Sequence, residues 1–300
     1  MAVPTVDRVD LRVLGRSRAS GLRRFWKKFS RNRLAVAGLC FLIIVVFCAA
    51  FSSYISPYNP TQSNFADVYS PPTWQHWFGT DELGRDVFSR VLGGLRSACA
   101  VGFGAEVVEL TVGIMVGAIA GYVGGLVDNV LMRAVDIVYA FPSFLFSIIL
   151  VVILGHNIGA ILIAVAATSW VGMARIVRSQ VMKVRQSGFV ESSRGMGASW
   201  WTIIRRYVIP NSMGPILVAV TFGIPANMMA EAGLSVVGLG IEPPTPDLGE
   251  MIIKGQAAMF SYPWLLLAPV IVFALTLISF ALVGDGLRDI FDTKSSRRAR

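Results

Sequence analysis

Three carboxylates and one loop hold most of the chain's chemical interest. Glu106 and Glu109 stand three residues apart, so they share a face of any helix that carries them. Glu231 stands alone in a second apolar stretch. A charge at the centre of a bilayer costs about 2.5 to 3.5 kcal/mol on insertion scales. Each of the three must therefore face protein or water. Two uses fit, the lining of a translocation pathway or hydrogen bonding to a neighbouring helix, and the sequence leaves both open. Bond-breaking chemistry finds few residues. No GxxxxGK[ST] loop cradles phosphate, and neither HExxH nor GxSxG occurs. His76 and His156 are the only histidines and lie far apart, so no metal site is expected. Cys40, Cys48 and Cys99 lack CxxC spacing and read as small apolar side chains. The expectation is a chain with no catalytic residue and no cofactor of its own.

The elements that must position these residues follow from composition. Of 300 residues, 54% are hydrophobic and only 15% charged, yet the formal net charge is +9. Disorder is excluded, because it needs low hydrophobicity. A soluble nucleic-acid binder is excluded too, for want of polar surface. A membrane protein remains, with its positive charge concentrated in particular places.

A hydrocarbon core of about 30 Å takes roughly 20 helical residues. Six apolar stretches meet that length: about 34–54, 97–122, 137–154, 158–173, 213–237 and 262–283. The expected fold is all-α, a six-span polytopic membrane protein with both termini on one side. Of 27 Lys and Arg, 23 fall before span one, between spans two and three, between spans four and five, or after span six. Only Arg85, Arg90, Arg96 and Lys254 fall on the other side. The positive-inside rule makes the basic side cytoplasmic. The first span reads as a retained anchor, because 33 residues precede it and five spans follow.

The expected divisions are a basic segment 1–33, a six-span membrane region 34–285 and a basic tail 286–300. In the first, Leu22, Phe25, Trp26 and Phe29 recur at helical spacing among basic residues. That pattern predicts an amphipathic helix, lying on the lipid interface or packed on neighbouring protein. In the second span, Gly113, Gly117, Gly121 and Gly125 form a ladder at every fourth residue, predicting close helix packing. Pro215, Pro225 and Pro269 are expected to interrupt spans five and six.

The longest internal basic-side connection reads VESSRGMGASWWTIIRRYVIPN from Val190 to Asn211. Gly195 and Gly197 can supply a tight turn between two short helices. Trp200, Trp201, Ile203 and Ile204 then offer an exposed apolar knob, the mark of a binding surface.

This segment resembles the EAA loop of ABC-importer permeases, E-A-A-x-x-x-G closing on an Ile/Leu-Pro pair. Glu191 and Gly197 hold the anchor positions, Ile209-Pro210 the end, and Ser192 and Ser193 replace the alanines. Four further segments are similar to the dipeptide/oligopeptide/nickel permeases of the DppC/OppC type. They are HWFGTDELGRDVFSRVLGGLR (76–96), DIVYAFPSF (136–144), EAGLSVVGLGIEPPTPDLGEMI (231–252) and GDGLRDIFD (284–292), in family order.

The resemblance implies an ABC type I importer permease fold in a bacterial plasma membrane. It implies a homologous DppB-like permease beside this chain and two cytoplasmic ATPases that bind ATP and Mg. An extracytoplasmic solute-binding protein would deliver the solute, and lipid would surround the spans. The coupling loop would be 188–211, with Glu191, Ser192, Ser193, Arg194, Gly197, Ala198, Trp200, Trp201, Arg205 and Pro210 meeting an ATPase. The solute would be a dipeptide, an oligopeptide or, within the family, glutathione or a nickel chelate, moved by alternating access. The alternative is an ATP-independent secondary transporter or channel, although no inverted repeat is visible.

Overall fold

The computed structural model describes residues 18–291, nearly all of them helical. The expected interests in 1–17 and 292–300, including Arg8, Arg12, Arg16 and the basic tail from Lys294, lie outside the described residues. The helices are α1 (Arg18–Phe29), α2 (Arg33–Ala50), α3 (Ser52–Ile55), α4 (Val87–Val123), α5 (Gly125–Ala140) and α6 (Ser143–Leu154). They continue as α7 (Ile158–Arg185), α8 (Gly188–Gly195), α9 (Trp200–Ile203), α10 (Ile209–Val236), α11 (Leu248–Ala258) and α12 (Trp264–Phe291). A π-helical stretch, Ile204–Val208, joins α9 to α10 without a break.

Among the described residues, five helical segments are long and apolar enough to cross a membrane: α2, α4, α7, Trp200–Val236 and α12. A sixth crossing exists if the bent pair α5 and α6 counts as one. The third expected span, 137–154, is thus not one helix. Its first residues close α5, the chain turns by 82°, and α6 carries the rest. Proline explains the break. Phe141 precedes Pro142 and takes an extended backbone (φ −83°, ψ 135°), because a residue before proline is pushed out of the helical region.

Two other expectations need correction. Pro215 and Pro225 lie inside a continuous α10, and Pro269 inside a continuous α12. None interrupts its span. Gly125 is off the ladder: α4 ends at Val123, and Gly124 and Gly125 both have positive φ (72° and 59°). They turn the chain into α5, and a Cβ on Gly125 would meet nothing within 4 Å.

The rest of the ladder packs α4 on α7. A Cβ on Gly113 would lie 2.6 Å from the Met173 side chain, and one on Gly121 2.8 Å from the Arg178 carbonyl. Gly117 faces the Ala174 carbonyl still more closely. On the other flank of α4, Gly102 receives Met228 of α10. α2 packs on α12, where Gly38 faces the Ser279 carbonyl and Gly286 faces Ala35 and Phe29. α1 is held by that same end: Phe29 is buried and Phe25 lies 6.1 Å from Phe291. Trp26 points outward, and the Leu22 side chain lies outside what is described. α12 runs to Phe291, past the expected boundary at 285.

At 1.5 Å per residue, the 37 residues of α4 span about 55 Å. Its N-terminal part meets α11, through Gly94 against Leu248, and its C-terminal part meets α8 and α9, through Tyr122. The two ends of α4 thus define two ends of the molecule.

Candidate functional site

The loop 188–211 is built on a buried patch. Val190, Ile203, Ile204 and Val208 join Tyr122 of α4 and Val177 and Val181 of α7 in one apolar cluster. Ile203 and Ile204 are therefore foundation and not part of the exposed knob: both are buried in this cluster, while Trp200 and Trp201 are more than half exposed. α8 carries the two serines without distortion. Ser192 donates its hydroxyl to the Gly188 carbonyl (2.9 Å) and Ser193 to that of Phe189 (2.8 Å). Each hydroxyl is met inside its own helix.

The turn after α8 has a defined stop. Ala198 N–H donates to the Ser193 carbonyl (3.0 Å) and Gly197 N–H to that of Arg194 (2.9 Å). This 6→1 and 5→2 pair is a Schellman motif with Gly197 as its left-handed residue, at φ 80°. Gly195 is the last residue of α8 and makes no turn of its own. Ser199 then caps α9, its hydroxyl accepting from Thr202 N–H at 3.3 Å. Pro210 falls at the start of α10, directly after the π stretch.

The outward surface is apolar at its crest and basic at its flanks. Met196 is 80% exposed, Trp200 54% and Trp201 57%. The tryptophans meet edge to face, with centroids 5.7 Å apart. The Arg194 guanidinium lies 5.1 Å above the Tyr122 ring, a cation–π contact that orients it. Glu191, Ser192, Arg205 and Arg206 are exposed, and Ala198 is half-buried. Among the described residues no carboxylate pairs with Arg194, Arg205 or Arg206. A convex apolar crest with unpaired positive flanks is suited to a protein groove with an acidic rim.

The three glutamates do not converge. The Glu106 carboxylate lies against Gly223 of α10, and neither oxygen has a hydrogen-bond partner. Glu109 has Asn227 and Ser169 as its polar neighbours. Glu231 is wholly enclosed at the α11 end of α10, with Asp247 nearby and both oxygens unpartnered.

The other end of the molecule holds a polar network that the sequence did not mark. Asp81 accepts from Leu83 N–H and Arg85 N–H (both 2.9 Å) and from Arg85 Nε (2.7 Å). Arg90 lies 3.4 Å from Asp81 and 3.4 Å from Glu250. Lys254 closes the ring, 2.9 Å from Glu82 and 2.8 Å from Glu250. Burial works against the Glu82 charge, but Lys254 holds its carboxyl below the ordinary glutamate range. Burial likewise opposes the Lys254 charge, and Glu250 and Glu82 outweigh it, holding the ammonium above its usual value. Asp86 caps α4 through Ser89 N–H (2.8 Å) and pairs with His76 (2.9 Å). Asp247 caps α11 through Gly249 N–H (2.7 Å) and takes the Ser235 hydroxyl at 2.5 Å. The stretch 241–263 holds the helix α11 between two shorter connections. The spacing Asp86-x-x-Ser89 was the available signal for a cap.

Residues 113–297 match the family model described as binding-protein-dependent transport system inner membrane component. Residues 20–72 match the N-terminal TM domain of oligopeptide transport permease C. The dipeptide transport system permease protein DppC of Bacillus subtilis is 39% identical over 273 residues, covering 91% of this chain and 85% of that protein. The oligopeptide transport system permease protein OppC of the same organism is also 39% identical, covering 90% of each. The glutathione transport system permease protein GsiD of Pectobacterium atrosepticum is 37% identical, covering 91% of each. Among solved structures, an inward-facing MetNI methionine ABC transporter chain superposes with a TM-score of 0.56 at 20% identity. It covers 68% of this chain and 97% of that one, and likeness at that identity speaks for the fold alone. With more than half its length matched by the family model and close relatives along nearly all of it, the chain belongs to the binding-protein-dependent transport system inner membrane components, the permeases of ABC importers.

Proposed function

We propose that this chain is one of two permease subunits of an ATP-driven importer of peptides, with its termini and the 188–211 loop in the cytoplasm. The α8–α9 turn carries this reading. It offers an unpaired apolar and basic surface that runs without a break into a long spanning helix. An ATPase groove seated on Met196, Trp200 and Trp201 would push on α9, and the push would pass through the π stretch into α10. A second permease would close the path, and a solute-binding protein would load it from the α11 end. The residues proposed for coupling are Glu191, Ser192, Ser193, Arg194, Gly197, Ala198, Trp200, Trp201, Arg205 and Pro210. ATP and Mg would sit on the partner ATPases.

The test is reconstitution of the chain with its partner permease, ATPases and binding protein in liposomes. Labelled dipeptide uptake and ATP hydrolysis stimulated by loaded binding protein are then measured. Both activities are expected in the wild type, and both are expected to fall in Gly197→Val while the chain still inserts. Full stimulation in Gly197→Val, or uptake without ATP, would overturn the reading. Glutathione is the competing solute, because the GsiD relative carries that name.

A further inference from the structure

A cavity of about 480 Å³ opens at the break between α5 and α6, walled by α7 and α10. Its volume falls in the range of small-molecule sites. Tyr139, Phe141 and Phe144 supply an aromatic wall, and Thr168, Ser169 and Asn227 supply hydroxyls and an amide. No charged side chain lines it. The Ser169 hydroxyl already leans on the Ala166 carbonyl (3.5 Å). The Asn227 amide nitrogen makes no hydrogen bond of good geometry: the residue is only 4% exposed, and the polar group beside it is the Glu109 carboxylate. A buried donor left unmet costs free energy. A carbonyl oxygen of a solute in the cavity would meet it once the side chain turns from Glu109 toward the opening.

We infer that this cavity is the solute-reading surface of the subunit, with Asn227 donating to a backbone carbonyl of the passing peptide and the aromatic wall taking its side chain. This rests on the peptide reading above and adds to it which residues read the solute. The three glutamates are then not the readers. Glu109 stands behind Asn227 and Ser169 as a positioning group. A wall of neutral donors and aromatic rings recognises amides and apolar groups, and offers a metal ion or an isolated anion no counter-charge.

Gly172 gives the sharpest test. It lines the cavity, and a Cβ there would meet nothing within 4 Å. Gly172→Leu should therefore fill the cavity without disturbing α7. The reconstituted complex is given Ala-Ala and Phe-Phe in competition, each loaded on the same binding protein, so selectivity at that protein is constant. In Gly172→Leu the uptake of Phe-Phe relative to Ala-Ala is expected to fall about tenfold, the scale of one overpacked side chain. Asn227→Ala should lower uptake of both peptides per ATP hydrolysed by about three- to tenfold, the worth of one hydrogen bond. Asn227→Ser, which keeps a donor, should recover part of that loss. A wild-type peptide ratio in Gly172→Leu together with wild-type uptake per ATP in Asn227→Ala would overturn the cavity assignment. A wild-type complex that hydrolyses ATP but imports neither peptide would overturn the peptide reading first, and this inference with it.

Discussion

The two ends of α4 carry polar clusters of opposite character. At its N-terminal end, Asp81, Glu82, Arg85, Arg90, Glu250 and Lys254 neutralise one another, and Asp81, Arg85 and Arg90 are buried. At its C-terminal end, Arg194, Arg205 and Arg206 face outward beside two exposed tryptophans, with no carboxylate partner among the described residues. The first cluster is complete within the chain and serves to clamp α11 onto α4. The second is incomplete, and its exposed apolar crest is a surface made for another protein. What separates a scaffold from a docking surface is whether the charges are answered internally.

Substitutions at each end should therefore fail in different ways. The largest effect is expected for Asp81→Ala. It removes the shared carboxylate of two buried guanidiniums and leaves them only the longer contacts to Glu82 and Glu250, a loss of about 3 to 5 kcal/mol for a broken buried pair. The thermal unfolding temperature of the detergent-purified chain should drop sharply, whatever partner is present. Next is Trp200→Ala with Trp201→Ala. Loss of an aromatic hot spot costs about 2 kcal/mol or more, so affinity for the ATPase subunits should weaken about 30-fold, read by pull-down titration, with the unfolding temperature unmoved. An equal fall in thermal stability would show the tryptophans to be scaffold and erase the contrast. Gly197→Ala should be milder, about 1 to 2 kcal/mol for a side chain in the left-handed region, seen as partial loss of stimulated ATP hydrolysis.

The smallest effect belongs to acid. Because the folded-state pKa of Glu82 is depressed, its contribution is present above the unfolded value and lost as pH falls through the folded one. Lys254 is displaced upward, so its contribution holds below the unfolded value and is lost as pH rises through the folded one. Both groups are partly exposed, and screening keeps the pair under about 1 kcal/mol. A melting series from neutral pH to below 4.5 should show a small fall in the wild type and a flatter line in Lys254→Met. Identical slopes would remove the ring from the scaffold.

Much of this was legible in the sequence, for identifiable reasons. Apolar runs of membrane length and glycine at every fourth residue are local patterns, so the spans and a close helix contact along α4 could be read directly, but not that α7 is the partner. The turn at Gly197 was legible because a Schellman stop needs a residue tolerant of positive φ. The inward turn of Ile203 and Ile204 was not, because α9 is too short to show periodicity. The break at Pro142 was hidden by hydropathy, which runs unbroken across it. The closed ring was invisible because Glu250 and Lys254 join Asp81, Arg85 and Arg90 only when α11, some 160 residues later, folds against α4. The cavity at the break escaped notice for the same reason: Asn227 and Thr168 are ordinary polar residues until three helices bring them together.

The glycine contact between α4 and α7 has a mechanical consequence. Backbones that meet at Gly113, Gly117 and Gly121 leave no slack for sliding, so the two helices form one stiff strut through the molecule. Any cycle that opens first one end and then the other must find its degrees of freedom elsewhere. The elbow at Phe141-Pro142 and the wide π turn at Ile204–Val208 are two places where the backbone departs from regular α geometry. A locked strut flanked by two joints is the layout of a linkage, in which force applied at one end emerges as rotation at the other.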